Sequence, residues 1–242
     1  MRTWWKYILD LFLPPRCKKC GKIICDDDAL CDDCFNELNF ISAPYCQRCG
    51  IPFEDVGGKS PHNWLCAECA RDKHPWLRLC RSALHYDEFG KALIIALKFY
   101  DRTDDARILA KWMKLAGKDI WAQGVDVIVP VPLHYTRLIK RKYNQAALLA
   151  KELSAMTSIP VEYSALIRHR RTRPQVEFSG SIRRRNVRGA FKVKHPEKFR
   201  GKRVLLIDDV MTTGSTLKEC AKAINSAHPL SIDVLTTARV CR

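Results

Sequence analysis

No apolar run in these 242 residues reaches bilayer-spanning length, so the expectation is no transmembrane helix and no stable membrane insertion. The chain also lacks a G-x-x-x-x-G-K-S/T loop and a G-x-G-x-x-G following a strand. Those absences remove the ordinary nucleoside-triphosphatase and dinucleotide-binding readings. A secretory leader in its usual form is missing. The apolar N-terminal stretch of Trp4, Trp5, Ile8, Leu9, Leu11, Phe12 and Leu13 is broken by Asp10, runs into Pro14-Pro15 and offers no small-residue cleavage site. A short amphipathic helix docking on the body of a cytoplasmic protein is expected there, with transient membrane contact as the minor alternative. Negative charge is scarce in one part of the chain. Residues 1–80 hold 11 Lys/Arg and 11 Asp/Glu, so the net charge of +16 belongs to residues 81–242. Within that part, residues 168–202 carry 13 basic and 2 acidic side chains, a concentration that implies an anionic partner such as diphosphate, nucleotide or nucleic acid.

Cysteine, by contrast, is abundant, at 12 residues. Without a secretion signal a disulfide framework is disfavoured, and the spacing points to metal. Cys17-x-x-Cys20 and Cys31-x-x-Cys34 make one pair of knuckles; Cys46-x-x-Cys49 and Cys66-x-x-Cys69 make another. Two knuckles supply four thiolates, a closed tetrahedral set that suits structural Zn2+ and leaves no open position for catalysis. One or two zinc sites are expected. Sequential pairing of the knuckles is simplest and interleaved pairing stays open, with Cys25, His62 or His74 able to replace a ligand. Cys80, Cys220 and Cys241 read as small buried hydrophobes. The acidic residues Asp26-Asp27-Asp28 and Asp32-Asp33 read as a solvated loop. A module of this kind is too small to fold on its own core. It is expected over residues 1–80, with an α/β domain over 81–242.

In the second part, Val204-Leu205-Leu206-Ile207 has the run of branched apolar residues of a buried parallel strand. Asp208-Asp209 follow, then Thr212-Thr213-Gly214-Ser215-Thr216, then a helical pattern from Leu217 to Asn225 with Leu217, Cys220, Ala221 and Ile224 on one face. Amides at a helix start lack intrahelical partners and suit an anion; a loop of small hydroxyl residues lets a phosphate approach them. The two carboxylates fit sugar hydroxyls or a divalent cation. The combination suits a ribose phosphate. Upstream, strands are expected at Ser82–Tyr86 and Val125–Val129, and helices at Gly90–Tyr100, Asp104–Gln123 and Tyr143–Met156, with Trp112 and Trp121 as packing residues. The second strand runs into Pro130-Val131-Pro132-Leu133-His134, and Arg137, Lys140, Arg141 and Lys142 bring charge to that strand edge, where α/β sheets bind ligands. Val161–Tyr163 and Gly189–Val193 are short strand candidates, and Ile232–Thr236 is the last strand. Between them Arg168, Arg170, Arg173, Gln175, Arg184 and Arg185 fall in a segment without helical or strand period. It reads as an arginine lid over an anion, the alternative being a solvated loop.

The Val204–Thr216 segment resembles the phosphoribosyl-diphosphate-binding motif of type I phosphoribosyltransferases. With the Leu13–Cys17 start, the knuckles, Pro130–His134, Tyr143-Asn144-Gln145, the arginine segment, Gly189-Ala190-Phe191 and Ala238-Arg239, nearly the whole chain resembles the ComF family, which also includes GntX. The resemblance implies a type I phosphoribosyltransferase-like parallel-sheet domain behind an N-terminal double zinc ribbon. It implies phosphoribosyl diphosphate as ligand, with Mg2+. Asp208, Asp209 and Arg137 would be catalytic, and Asp208, Asp209 with Thr212, Thr213, Gly214, Ser215 and Thr216 would hold ribose and phosphate. Pro132, Leu133, His134 and Arg137 would form the loop that meets pyrophosphate. The acceptor and the oligomeric state are not written in the residues. A second class of function stands beside this glycosyl transfer: a non-catalytic accessory of DNA uptake (competence) that binds single-stranded DNA or DNA-processing proteins and uses the pocket as a ligand sensor. Few aromatics, Phe178 and Phe191, interleave with the basic segment for base stacking.

Overall fold

A computed structural model describes residues 14–17, 19–24, 30–53, 64–72, 76–99, 105–170 and 187–241. The expected N-terminal helix, together with Cys25, His62, His74, Arg173, Gln175, Arg184 and Arg185, lies outside them. The chain forms two compact units, Met1–Asn39 and Phe40–Arg242, whereas the sequence expectation set its module boundary at residue 80.

Among its described residues the first unit holds one short helix, α1 (Asp32–Asn36). Asp32 and Asp33 are exposed in its first turn, where the helix dipole favours negative charge. Lys22 Nζ reaches Asp33 Oδ2 at 3.3 Å.

The second unit opens with a knuckle segment and helix α2 (Ala67–Arg71). It continues through β1 (Cys80–His85), α3 (Glu88–Phe99), α4 (Asp105–Ala116), α5 (Lys118–Ala122), β2 (Val127–Pro130), α6 (Tyr135–Arg141) and α7 (Gln145–Thr157). β3 (Leu166–Arg168), β4 (Phe191–Val193), β5 (Arg203–Met211), α8 (Ser215–Asn225) and β6 (Ser231–Arg239) complete it. Four strands pair in the order β1-β6-β5-β2, all parallel. Val161 adds a single parallel bridge to Ile128 in place of the short strand expected there. β3 and β4 make a separate antiparallel ribbon.

Helices cover both faces of this sheet, which is why its strands are apolar without alternation. Val127, Val129, Val204, Leu206, Ile232 and Val234 pack with the α8 stripe of Leu217, Cys220, Ala221 and Ile224. The intervening Ile128, Leu205, Ile207 and Leu235 are fully buried as well, on the side where α4 and α7 contact the strands. Trp112 is 7% exposed and meets the Phe40 ring edge-on at 5.6 Å, a packing role as expected.

Two elements differ from the sequence reading. The single helix expected over Asp104–Gln123 is two, α4 and α5, broken at Gly117. A Cβ there would lie 3.0 Å from Trp121 Nε1 and 3.3 Å from the Leu235 methyls, so the break seats the chain closely on β6. Strand β5 does not stop at Ile207. It continues through the acidic pair to Met211, because β6 still pairs with it at Val210↔Ala238 and Met211↔Arg239.

Candidate functional site

β2 and β5 are neighbours, with Pro130 level with Ile207. The segment leaving β2 and the segment leaving β5 therefore start side by side at the C-terminal sheet edge. The Val131 amide donates to Ile207 O at 2.9 Å, and Asn144 Nδ2 donates to Val131 O at 3.0 Å. Asn144 also caps α7, its Oδ1 accepting from the Ala146 amide at 3.1 Å. One side chain thus ties the 131–134 loop to the start of α7. Pro132 and Leu133 are half-buried and His134 is buried. His134 is the N-cap of α6, with Nδ1 3.0 Å from Thr136 Oγ1, and its ring tilts against Tyr135. The stretch expected as a loop through Arg137 is helical from Tyr135. A His side chain can accept from an N2 amide and so start a helix there. Arg137 lies on this helix, and its side chain is outside the description.

On the neighbouring strand, Asp208 and Asp209 are half-buried, and the Asp209 amide donates to Asp208 Oδ1 at 2.9 Å. Thr212 and Thr213 follow. Gly214 then turns the chain in the left-handed region (φ +67°) as the N-cap of α8. The left-handed φ calls for glycine; a Cβ there would stand 2.9 Å from Met211 Cε, the far end of a flexible side chain. Thr213 Oγ1 and Ser215 Oγ lie 2.7 Å apart. The first turn of α8 has no acidic residue. Its leading amides carry the helix's positive end. Two carboxylates, a hydroxyl-lined turn and a helix N-terminus occupy one strand end, beside the 131–134 loop.

Arg168 and Arg170 stand at the base of the basic segment. Arg168 is buried, its guanidinium 5.3 Å over the Phe191 ring, so its stem and head pack within the β3–β4 ribbon. Arg170 is exposed and donates to Arg188 O. Glu219 Oε2 accepts the Gly189 amide at 2.7 Å, anchoring this ribbon to α8. Nothing in the local pattern around Glu219 announced that role; it arises from a contact between residues thirty apart.

The cysteines resolve into two clusters, Cys17/Cys20/Cys31/Cys34 and Cys46/Cys49/Cys66/Cys69, with the sulfurs of each within 4.8 Å of one another. The sequential pairing is the one adopted. The thiols cannot all ionise together without a cation. In the first cluster, burial opposes ionisation at Cys17, but the amides of Cys20, Cys31 and Lys19 outweigh it and hold that thiol down to about 6. Burial, then hydrogen bonds from its three neighbours, push Cys34 up to about 12. In the second, a hydrogen bond from Cys49, with amides that include Cys66 N at 3.3 Å, brings Cys46 down to about 4. The same pairing with Cys46 pushes Cys49 up. Four crowded sulfurs with amide donors suit a divalent ion of zinc's softness, which would deprotonate the set. Gly50 follows the Cys46-x-x-Cys49 knuckle at φ +70°, where a Cβ would meet Cys80 O at 2.4 Å. Cys80 and Cys220 are buried, as expected, and burial raises both thiols.

The second cluster is built into the sheet unit. Cys80 N donates to Arg48 O at 2.7 Å, and Arg81 Nη2 donates to Gln47 O at 3.0 Å and to Asp119. Arg239, at the end of β6, is 7% exposed and donates from Nη1 to Cys49 O at 2.5 Å.

Fold and clusters together define a protein that joins a double zinc ribbon to a type I phosphoribosyltransferase-like domain. Residues 8–70 match the double zinc ribbon domain and residues 138–240 the phosphoribosyl transferase domain. Competence protein F of Haemophilus influenzae is 33% identical over 93% of this chain and 96% of its own. DNA utilization protein YhgH of Escherichia coli is 34% identical over 74% of this chain and 77% of its own. Competence protein ComFC of Bacillus subtilis is 27% identical over 82% and 78%. The chain belongs to this ComF family. Among solved structures, the glutamine phosphoribosylpyrophosphate amidotransferase of B. subtilis resembles it at 20% identity and a TM-score of 0.39, over 58% of this chain and 30% of that one. No helix among the described residues is long and apolar enough to cross a membrane.

Proposed function

We propose that the protein binds phosphoribosyl diphosphate at the end of β5 and transfers its phosphoribosyl group to an acceptor. The carrying observation is the Gly214 turn, which brings Asp208, Asp209, the hydroxyl loop and the α8 N-terminus to one strand end beside the 131–134 loop. The 5-phosphate sits on Thr212, Thr213, Gly214, Ser215 and Thr216, and Asp208 and Asp209 take the ribose hydroxyls. The diphosphate lies toward Pro132, Leu133, His134 and Arg137, with the arginines that follow Arg170 as its cover; Arg168, packed on Phe191, has a structural part instead. The oxygen donors of Asp208 and Asp209 fit Mg2+, which would arrive with the diphosphate and neutralise part of its charge. As the C1–O bond breaks, its electron pair leaves with pyrophosphate and the ribose becomes cationic. The acceptor then bonds to C1 and gives up its proton. Fixed donors around the leaving group stabilise charge where it develops, each worth roughly 3 kcal/mol.

The test is calorimetric binding of phosphoribosyl diphosphate with Mg2+, paired with pyrophosphate release against a panel of bases and amines. Asp208→Asn is expected to weaken binding and turnover at least tenfold at unchanged melting temperature; equal affinity and turnover in that variant would sink the assignment.

A second reading is favoured by the 13 basic residues in 168–202 and by relatives named for competence and DNA utilization. In it the pocket senses its ligand and the basic segment holds single-stranded DNA. Strand affinity that falls steeply with salt, with no pyrophosphate release under any condition, selects it over transfer.

A further inference from the structure

The last strand ends on an arginine with an unusual set of neighbours. Arg239 is buried, and its guanidinium touches two elements. Nη1 donates to Cys49 O at 2.5 Å and lies 3.3 Å from Met211 Sδ, while Nη2 lies 3.8 Å from Cys49 Sγ. Its Nε has no partner among the described residues. The peptide group that follows it is held from both sides, the Tyr86 amide donating to Arg239 O at 2.7 Å and the Val240 amide to Met211 O at 2.9 Å. Met211 is 5% exposed, and its Cε fills the space under Gly214 that a Cβ would claim at 2.9 Å. A chain of direct contacts thus runs from a metal-ligating cysteine through Arg239 and Met211 to the turn that starts α8. A buried cation needs a counter-charge. Zinc held by four thiolates is a net dianion, and among the described residues the Arg239 guanidinium meets Cys49 and Met211 and no carboxylate.

We infer that Arg239 is a positioning residue that couples metal occupancy of the Cys46/Cys49/Cys66/Cys69 cluster to the shape of the 211–216 turn, so that zinc there sets affinity for the phosphorylated ribose. This rests on the reading that the turn binds phosphate. Zinc fixes Cys49, Cys49 fixes the guanidinium, and the guanidinium fixes the thioether beneath Gly214. Coupling of this kind is reciprocal: the ligand must strengthen zinc retention by the factor by which zinc strengthens the ligand.

The experiment uses the zinc-loaded full chain. Zinc retention is measured by competition with a chromophoric chelator, with and without phosphoribosyl diphosphate and Mg2+, and amide hydrogen exchange is followed over residues 211–216. In the wild type the ligand is expected to tighten one zinc by about 5- to 150-fold, and loss of zinc is expected to speed exchange in the turn. Arg239→Lys keeps the charge but cannot bridge Cys49 O and Met211 Sδ together. It is expected to retain its zinc while losing the ligand's effect on it. Met211→Leu, a swap of similar volume, is expected to do the same and serves if the arginine variant fails to fold. Ligand binding without any effect on zinc retention, or full coupling in both variants, overturns the inference. If no ligand binds at all, the proposed function fails; the exchange measurement then decides the coupling alone, and a turn indifferent to zinc removes it.

Discussion

Gly214 carries more constraint than any other residue of the candidate site. Its φ of +67° is a region that residues with a Cβ occupy at a cost, and Met211 Cε lies beneath it. Gly214→Ala is expected to lose about 1–3 kcal/mol of stability. Phosphoribosyl diphosphate affinity should fall with it, because the amides of Ser215 and Thr216 would be re-aimed. Thermal unfolding and calorimetry measure the two effects; a variant with wild-type values in both would show that the turn tolerates a side chain. At this scale the motif residues were legible from sequence, since strand, acidic pair, hydroxyl loop and helix start are local in sequence. The relay residues were not. Arg239 belongs to the Ala238-Arg239 end of the family pattern with no role attached, Met211 looks like an ordinary apolar residue, and Glu219 like a solvated helix position. Their roles come from neighbours 190, 28 and 30 residues away.

At the scale of elements, one carboxylate helps to tie the crossover from α7 toward β3. Burial works against ionisation of Glu162, but Ser164 N at 2.9 Å, Ser164 Oγ at 2.8 Å and Ala165 N at 3.2 Å, with Lys198 nearby, keep it below the usual range for glutamate. A depressed carboxylate stabilises the fold above its unfolded pKa, and that contribution disappears as pH falls through the folded value. Glu162→Gln is therefore expected to lose roughly 1–2 kcal/mol near neutral pH, with wild type and variant converging in acid. Denaturant midpoints across pH measure it, and a difference that persists unchanged in acid would contradict the assignment. Element boundaries show where local pattern gives way to packing. The helical period over 104–123 was right in kind, but it carried no sign that Gly117 had to sit against Leu235. The apolar run of β5 ended at Ile207, while the strand continued because β6 was there to pair with Asp208 and Val210.

At the scale of the whole molecule, the two cysteine clusters are unequal. The first sits in a compact unit of 39 residues, a size that seldom folds without metal or another staple. The second shares a unit with the parallel sheet, whose core is made mainly of strand and helix residues. Chelation is accordingly expected to remove hydrogen-exchange protection from residues 30–38 completely while the central strands β5 and β6 stay protected. Metal analysis should find both sites loaded beforehand. Simultaneous loss of protection in the sheet would mean that zinc holds the second unit together outright.

Sequence alone determined what depends on near neighbours along the chain. The Cys-x-x-Cys spacing specified thiolate knuckles because each knuckle is a single turn, and the Val204–Thr216 run specified strand, loop and helix start because those follow one another directly. Tertiary structure decided what depends on distant segments meeting. It selected which knuckles share a cluster, put the 131–134 loop beside Asp208, broke one long helix at Gly117, and built the second cluster into the unit that carries the β5 turn. The placement of the 131–134 loop follows from the parallel pairing of strands remote in sequence, and the Gly117 break and the docking of the second cluster from side chains that meet only once that sheet has formed.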